Sequence, residues 1–258
     1  MGDPIIGFDD WLDSAPGHYL LDWERRQFET TVADLFGYHA LQLGLPQLDT
    51  LAANRMPHRW QFTDSTKIAT RASAVADFTA LPFSEGSIDL IAMPHTLDLS
   101  ADPHATLRDV DRVLVPDGRV VLCGLNPASL WGLRQRRARL YRRLGWGQLF
   151  LPEAGEFIGY WRLRDWLRLL NFEVESVRFG CYRPAFRRAE WLRRYAWMDG
   201  VGRRWWPIFG AAYFLVAVKR VRGVRLLGAP WRPALAVAGA PVSVANRVGK
   251  VGQNHECG

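Results

Sequence analysis

Cysteine and lysine are scarce in this sequence, and no apolar run is long enough to span a bilayer. The cysteines Cys123, Cys181 and Cys257 form neither a Cys-x-x-Cys pair nor a Cys/His ligand spacing. A disulfide scaffold and a zinc-ribbon site are therefore excluded, no metal is expected, and a reducing cytoplasmic setting fits best. The most apolar stretch, Trp205 to Val218, is short for a membrane span and is interrupted by Pro207 and Gly210. Met1 to Asp13 carries acids and no basic n-region, which reads as the absence of a secretory signal. Lysine occurs only at Lys67, Lys219 and Lys250, so nearly all the positive charge is arginine. No internal repeat is evident.

The sequence has 258 residues, 48% of them hydrophobic, which is room for one substantial α/β domain with appendages. A net charge of +7 admits nucleic acid or an anionic membrane surface as a partner. An ordinary solvated, arginine-rich face explains the same charge and is the favoured reading.

The stretch from Ala72 to Gly124 organises the chain. Ala72 to Ala76 and Ile88 to Met93 are apolar runs. Asp102 and Pro103 open a helix as an N-cap carboxylate and a first-turn proline. Leu107, Val110, Val113 and Leu114 share one face of that helix. Pro116-Asp117-Gly118 ends it, and Val120 to Cys123 forms another buried strand. Apolar strands joined through a helix imply a parallel pair with a right-handed crossover.

The words Asp77…Leu81-Pro82-Phe83, Ser87-Ile88-Asp89, Asp102-Pro103, Leu107-Arg108 and Arg112-Val113-Leu114-Val115-Pro116-Asp117-Gly118 occur in one order. In this the chain resembles the class I S-adenosylmethionine-dependent methyltransferases, in particular their type 11 branch. The resemblance implies an α/β, doubly wound, mostly parallel sheet of order 3-2-1-4-5-7-6, with its last strand antiparallel. It further implies S-adenosylmethionine as cofactor, a methyltransferase activity and a small-molecule acceptor.

By the same resemblance Tyr38 to Gly44 is the first strand and its loop faces the methionine part of the cofactor. Gly44 keeps the first glycine of that loop. Gln42 stands where the family has a carboxylate, and Pro46 where it has a second glycine. Asp64, after the strand Arg59 to Thr63, takes the ribose position, although a simple turn residue explains it equally. Asp77 and Phe78 take the adenine position. His95, after the fourth strand, lines the pocket and is a weak candidate for a catalytic base. Asn126-Pro127 follows the fifth strand and reads as a loop start and helix cap.

In order along the chain, residues 1–18 read as a lead-in, 19–222 as the methyltransferase-like domain, and 223–258 as a flexible tail. Tyr19 to Phe36 has helical periodicity, and Leu48 to Ala53 reads as a very short helix. Arginine- and tryptophan-rich insertions fall near 130–147 and 183–206. Trp161 to Leu170 reads as an amphipathic helix, Phe172 to Phe179 as a strand, and Gly210 to Lys219 as the final strand. A second function stays open beside methyl transfer: an inactive methyltransferase-like binding or regulatory module, engaging RNA or an anionic membrane surface through its Arg/Trp-rich segments.

Overall fold

The computed structural model describes residues 7–64, 72–143, 149–152 and 157–220. The tail expected over 223–258, and residues 1–6 of the expected lead-in, lie outside the described residues.

Seven strands form one sheet in the order β3-β2-β1-β4-β5-β7-β6. They are β1 (His39–Leu43), β2 (His58–Thr63), β3 (Ala74–Val75), β4 (Ile88–Pro94), β5 (Leu114–Leu125), β6 (Phe172–Gly180) and β7 (Ala212–Lys219). The pairs from β3 to β5 are parallel, and β7 runs antiparallel to both of its neighbours. The central strands are apolar on both faces because both faces are covered. One layer packs Leu20, Phe28, Val32, Ala40, Leu90, Val121 and Phe214. The other packs Leu41, Ile91, Leu107, Val110, Leu122, Leu163 and Leu215.

Helix α4 (Pro103–Val113) crosses from β4 to β5, and the Asp102 carboxylate caps it by accepting from the Ala105 N–H at 2.9 Å. Residues that end α4 in sequence instead enter β5 directly: Leu114 already pairs with Ile88, and the register then shifts to Leu90–Arg119. Asp117, in the left-handed region at φ 60°, carries the chain through that irregularity.

The expected lead-in is structured from residue 7 onward. Helix α1 (Phe8–Leu12) buries Phe8, Trp11 and Leu12, and helix α2 (Ala15–Val32) starts four residues earlier than the periodicity suggests. Pro16 and Gly17 are not punctuation. Ser14 caps α2 by accepting from the Gly17 N–H, and Pro16 lies in the first turn, where its missing N–H costs nothing. Gly17 is held so close to the backbone of Trp11 and Leu12 that a side chain would not fit.

The expected short helix over Leu48 to Ala53 is a series of turns. No helix joins β1 to β2 among these fully described residues. After β4 the chain also carries α3 (Thr96–Leu99), α5 (Leu130–Arg143), α6 (Tyr160–Leu169), α7 (Ala189–Arg194) and α8 (Met198–Trp205). No described helix is long and apolar enough to cross a membrane.

Candidate functional site

In an open α/β sheet, ligands bind beyond the carboxyl ends of the strands near the point where strand order reverses. Here that point lies between β1 and β4, and the loops after β1, β2, β3 and β4 surround it.

Gly44 ends β1 at φ +77°, a conformation that favours glycine. A side chain there would meet Thr96 Oγ1 at 3.3 Å and the Phe78 ring at 3.8 Å. The structure thus brings Gly44, Phe78 and Thr96 together. Phe78 is buried among Leu43, Phe62 and Met93, so it forms the floor of this region.

Asp64 and Asp77 follow neighbouring strands. Thr63 pairs with Val75, and the Ala76 N–H donates to the Thr63 carbonyl, so the two acidic residues leave the sheet at the same end. Both are exposed. Asp77 Oδ1 accepts from the Thr79 N–H at 2.8 Å and from its hydroxyl at 2.7 Å. Those two bonds, the backbone one first, hold the Asp77 carboxyl below its usual range. The loop that follows is fixed from beneath. Arg112 donates to the carbonyls of Phe83 (2.8 Å) and Leu81 (3.0 Å), while Asp109 accepts from the Leu81 N–H at 2.6 Å. The Arg112–Asp109 ion pair closes this clamp at 2.7 Å.

Gln42 is arranged differently. Its side chain is buried, and its Nε2 donates towards the carbonyls of Gly44 (3.1 Å), Leu45 (3.1 Å) and Leu48 (2.7 Å). Its Oε1 accepts from the Thr50 N–H at 2.9 Å and the Thr50 hydroxyl at 2.7 Å. The amide is fully committed to protein partners and faces no open cleft, contrary to the cofactor role expected for it. Leu45 and Pro46 are buried as well. Arg59 adds bonds to the carbonyls of Leu51 and Asn54, so the whole segment is tied to itself.

His95 is also placed otherwise than expected. It is fully buried beneath Phe8, whose ring centroid is 5.1 Å away. Its Nε2 lies 2.7 Å from Glu24 Oε1 and its Nδ1 3.2 Å from Asp98 Oδ2. Burial alone would push the imidazolium pKa down, but the two carboxylates outweigh it and raise it to about 10. His95 is therefore a buried cation between two anions, with neither nitrogen left for a substrate. Asp98 also accepts the N–H groups of Leu125 and Ile158, so the group ties α2, the β4 and β5 loops and the Ile158 segment together. This buried ion group escaped sequence reasoning because Glu24 and His95 are 71 positions apart.

Ligand atoms of Glu24, His95 and Cys123 lie within 4.8 Å of one another. The His95 nitrogen facing Glu24 already holds it at direct hydrogen-bonding distance, and burial pushes the Cys123 thiol up, away from the thiolate a metal needs. The group reads as an ion pair with a neutral thiol beside it.

A groove of about 800 Å³ lies elsewhere, along the start of β6, lined by Tyr160, Arg164, Phe172 and Glu175. It is at the amino end of a parallel-running strand, away from the site. Asn126 spends its side chain on the carbonyls of Ile208 and Gly210 and the N–H of Ala128, so it is a loop brace.

A sheet of this order, with carboxylates leaving β2 and β3 at its carboxyl end, defines the class I methyltransferase fold. The sequence profile of the methyltransferase domain matches residues 53–122. The YafS protein of Escherichia coli K12, described as uncharacterized, is 31% identical over 173 residues, covering 66% of this chain and 67% of that one. The malonyl-[acyl-carrier protein] O-methyltransferase 1 of Coxiella burnetii is 33% identical over 78 residues, 30% of this chain and 28% of its own. Among solved structures, a methyltransferase bound to the Trm112 activator from Haloferax volcanii superposes with TM-score 0.56 at 17% identity, covering 84% of this chain and 97% of that one. A Thermotoga maritima S-adenosylmethionine-dependent methyltransferase superposes with TM-score 0.55 at 16% identity, over 78% and 92% of the two chains. At these identities the structural matches speak for the fold alone. The chain belongs to the type 11 class I methyltransferases, whose cofactor is S-adenosylmethionine.

The cofactor fits this site unevenly. Two open carboxylates suit the donor groups of an adenosine. A methionine end placed beyond β1 would meet an amide whose capacity is spent and a loop without the helix whose N-terminus holds anionic groups in dinucleotide folds.

Proposed function

We propose that the protein binds S-adenosylmethionine chiefly through its adenosine end and transfers the methyl group to a small-molecule acceptor. The observation that carries this reading is the pair Asp64 and Asp77, exposed at the same end of adjacent strands, with the Asp77 carboxylate held ionised and oriented by Thr79. Asp77 accepts from the adenine amine, Asp64 from the ribose hydroxyls, and Gly44 lets the backbone approach. The cofactor supplies an activated methyl sulfonium, so the protein need only bind, align and exclude water. Calorimetric titration with S-adenosylmethionine tests this. Saturable binding, weakened about tenfold in a folded Asp77→Ala variant, supports it; no binding by the folded wild-type protein at millimolar ligand overturns it.

The Gln42 clasp favours a second reading. A sheet that has filled its methionine subsite can persist as a binding or regulatory module without methyl transfer. The same titration separates the two, because that module predicts no saturable binding.

A further inference from the structure

Seven consecutive residues, Arg203 to Phe209, are exposed. They read Arg-Arg-Trp-Trp-Pro-Ile-Phe, and Trp205 is 70% exposed, Trp206 53%, Ile208 47% and Phe209 49%. Single exposed apolar side chains are ordinary, whereas a contiguous group marks an interaction surface.

Several backbone polar groups beneath these side chains are paired within the protein. Tyr182 Oη donates to the Pro207 carbonyl at 2.8 Å. Asn126 Nδ2 donates to the carbonyls of Ile208 (2.8 Å) and Gly210 (2.9 Å). The Trp206 N–H reaches the Gly202 carbonyl at 2.8 Å, and the Phe209 N–H the Trp206 carbonyl at 3.0 Å. Gly202 lies against the Tyr182 ring and Gly210 against the backbone of Gly180, with no room for a side chain at either. The segment therefore turns the carbonyls of Pro207, Ile208 and Gly210 inward and its apolar side chains outward. A surface entering the edge of a hydrocarbon layer must meet this condition, because no water remains there for unpaired backbone groups.

The flanking charge fits one kind of layer. Arg203 and Arg204 end α8 and are exposed, and Arg193 and Arg194 end α7 and are exposed too. Trp197, at the start of α8, adds another indole that is 60% exposed. Indole rings favour the membrane–water boundary, and arginines beside them attract anionic headgroups. A single-stranded nucleic acid asks instead for a basic groove along which aromatic faces follow one another. Here the apolar side chains are consecutive on one tight turn.

We propose that Arg203–Phe209 is an interfacial anchor that docks the protein on an anionic lipid surface, with Trp205, Trp206, Ile208 and Phe209 at the headgroup–acyl boundary and Arg203 and Arg204 on lipid phosphates. The proposal does not depend on the cofactor reading.

Co-sedimentation with phosphatidylcholine vesicles, with and without phosphatidylglycerol, tests it. The wild-type protein sediments with the anionic vesicles only, and less so as salt is raised. Arg203→Glu/Arg204→Glu weakens that binding by at least about fivefold per arginine. Trp205→Ala/Phe209→Ala weakens it by about tenfold or more. Circular dichroism shows that each variant is folded; should the tryptophan variant not fold, Ile208→Asp takes its place. The proposal is overturned if the wild-type protein stays in the supernatant with anionic vesicles, or if folded variants bind as the wild type does. It is also overturned if the segment instead drives dimerisation, seen as a concentration-dependent mass lost in Trp205→Ala/Phe209→Ala, or if it retains single-stranded RNA but no lipid.

Discussion

The loop after β1 and the loop after β3 leave the same end of the sheet and are both closed by polar clasps. In the loop after β3, the clasp is Arg112 with Asp109, and it grips the carbonyls of Leu81 and Phe83 from below. Asp77 stays outside that grip and keeps its carboxylate at the surface. In the loop after β1, the clasp is Gln42 itself, and the carbonyls of Gly44, Leu45 and Leu48 are spent on it. A clasp supplied by a neighbouring helix leaves a loop free to meet a ligand. A clasp supplied by the strand's own end closes the loop on itself.

The largest loss of stability should come from the buried ions that tie α2 to the loops after β4 and β5, next to the two clasped loops. His95→Ala strips the cation from between Glu24 and Asp98 and should cost about 3–5 kcal/mol in denaturant unfolding. A loss below about 1 kcal/mol would show that the loop region does not depend on this group. The pH dependence has a definite sign. His95 binds its proton more tightly folded, at about 10, than unfolded, where a histidine titrates near 6.5. Its stabilisation is complete below about pH 6.5 and is lost as pH rises through about 10. Melts between these limits should show stability falling with pH, and the slope should shrink in His95→Ala to the part left by the buried thiols of Cys123 and Cys181.

Next comes the clasp of the first loop. Gln42→Glu restores the family's carboxylate but sets an acceptor against three carbonyl oxygens. It should destabilise by about 3 kcal/mol and leave cofactor affinity no better. A stable Gln42→Glu that binds S-adenosylmethionine more tightly would show that the residue faces the ligand. A smaller effect is expected from Arg112→Met, about 1–2 kcal/mol, because the pair it breaks is partly solvated and its carbonyls can find water. Smallest in stability is Asp77→Ala, which should change unfolding little while weakening cofactor binding. Since the Asp77 carboxylate titrates below its usual range, binding should survive mild acid until the pH falls beneath that range.

Much of this arrangement is legible in the residues. The strand order is the one implied by the family resemblance of the words between Asp77 and Gly118, and the Asp102 cap and the α4 face of Leu107, Val110 and Val113 stand as expected, with Leu114 passing to β5. Asp89 and Arg112 lie in family words and turn out to serve the fold. Asp89 accepts the N–H groups of Tyr38 and His39 at 2.9 Å each, locking β1 to β4. Other features carry no local signature. Gln42 is matched to backbone carbonyls, which every residue has. His95 has the composition of a catalytic loop residue, and only Glu24, distant in sequence, turns it into a buried ion. The run Trp205 to Val218 looks apolar throughout, yet β7 begins at Ala212 and Trp205 to Phe209 face water, while Tyr182 and Asn126 hold the Pro207 and Ile208 carbonyls inward.

The difference between the two loops is tested most directly by titrating the protein with S-adenosylhomocysteine and, in parallel, with 5′-methylthioadenosine, which lacks the amino-acid end. With the loop after β1 closed by Gln42, the two ligands should bind alike, to within about threefold, or less than 1 kcal/mol. S-adenosylhomocysteine binding about a hundredfold tighter would contradict the account, since about 2.7 kcal/mol of recognition would then come from the half of the site described here as closed.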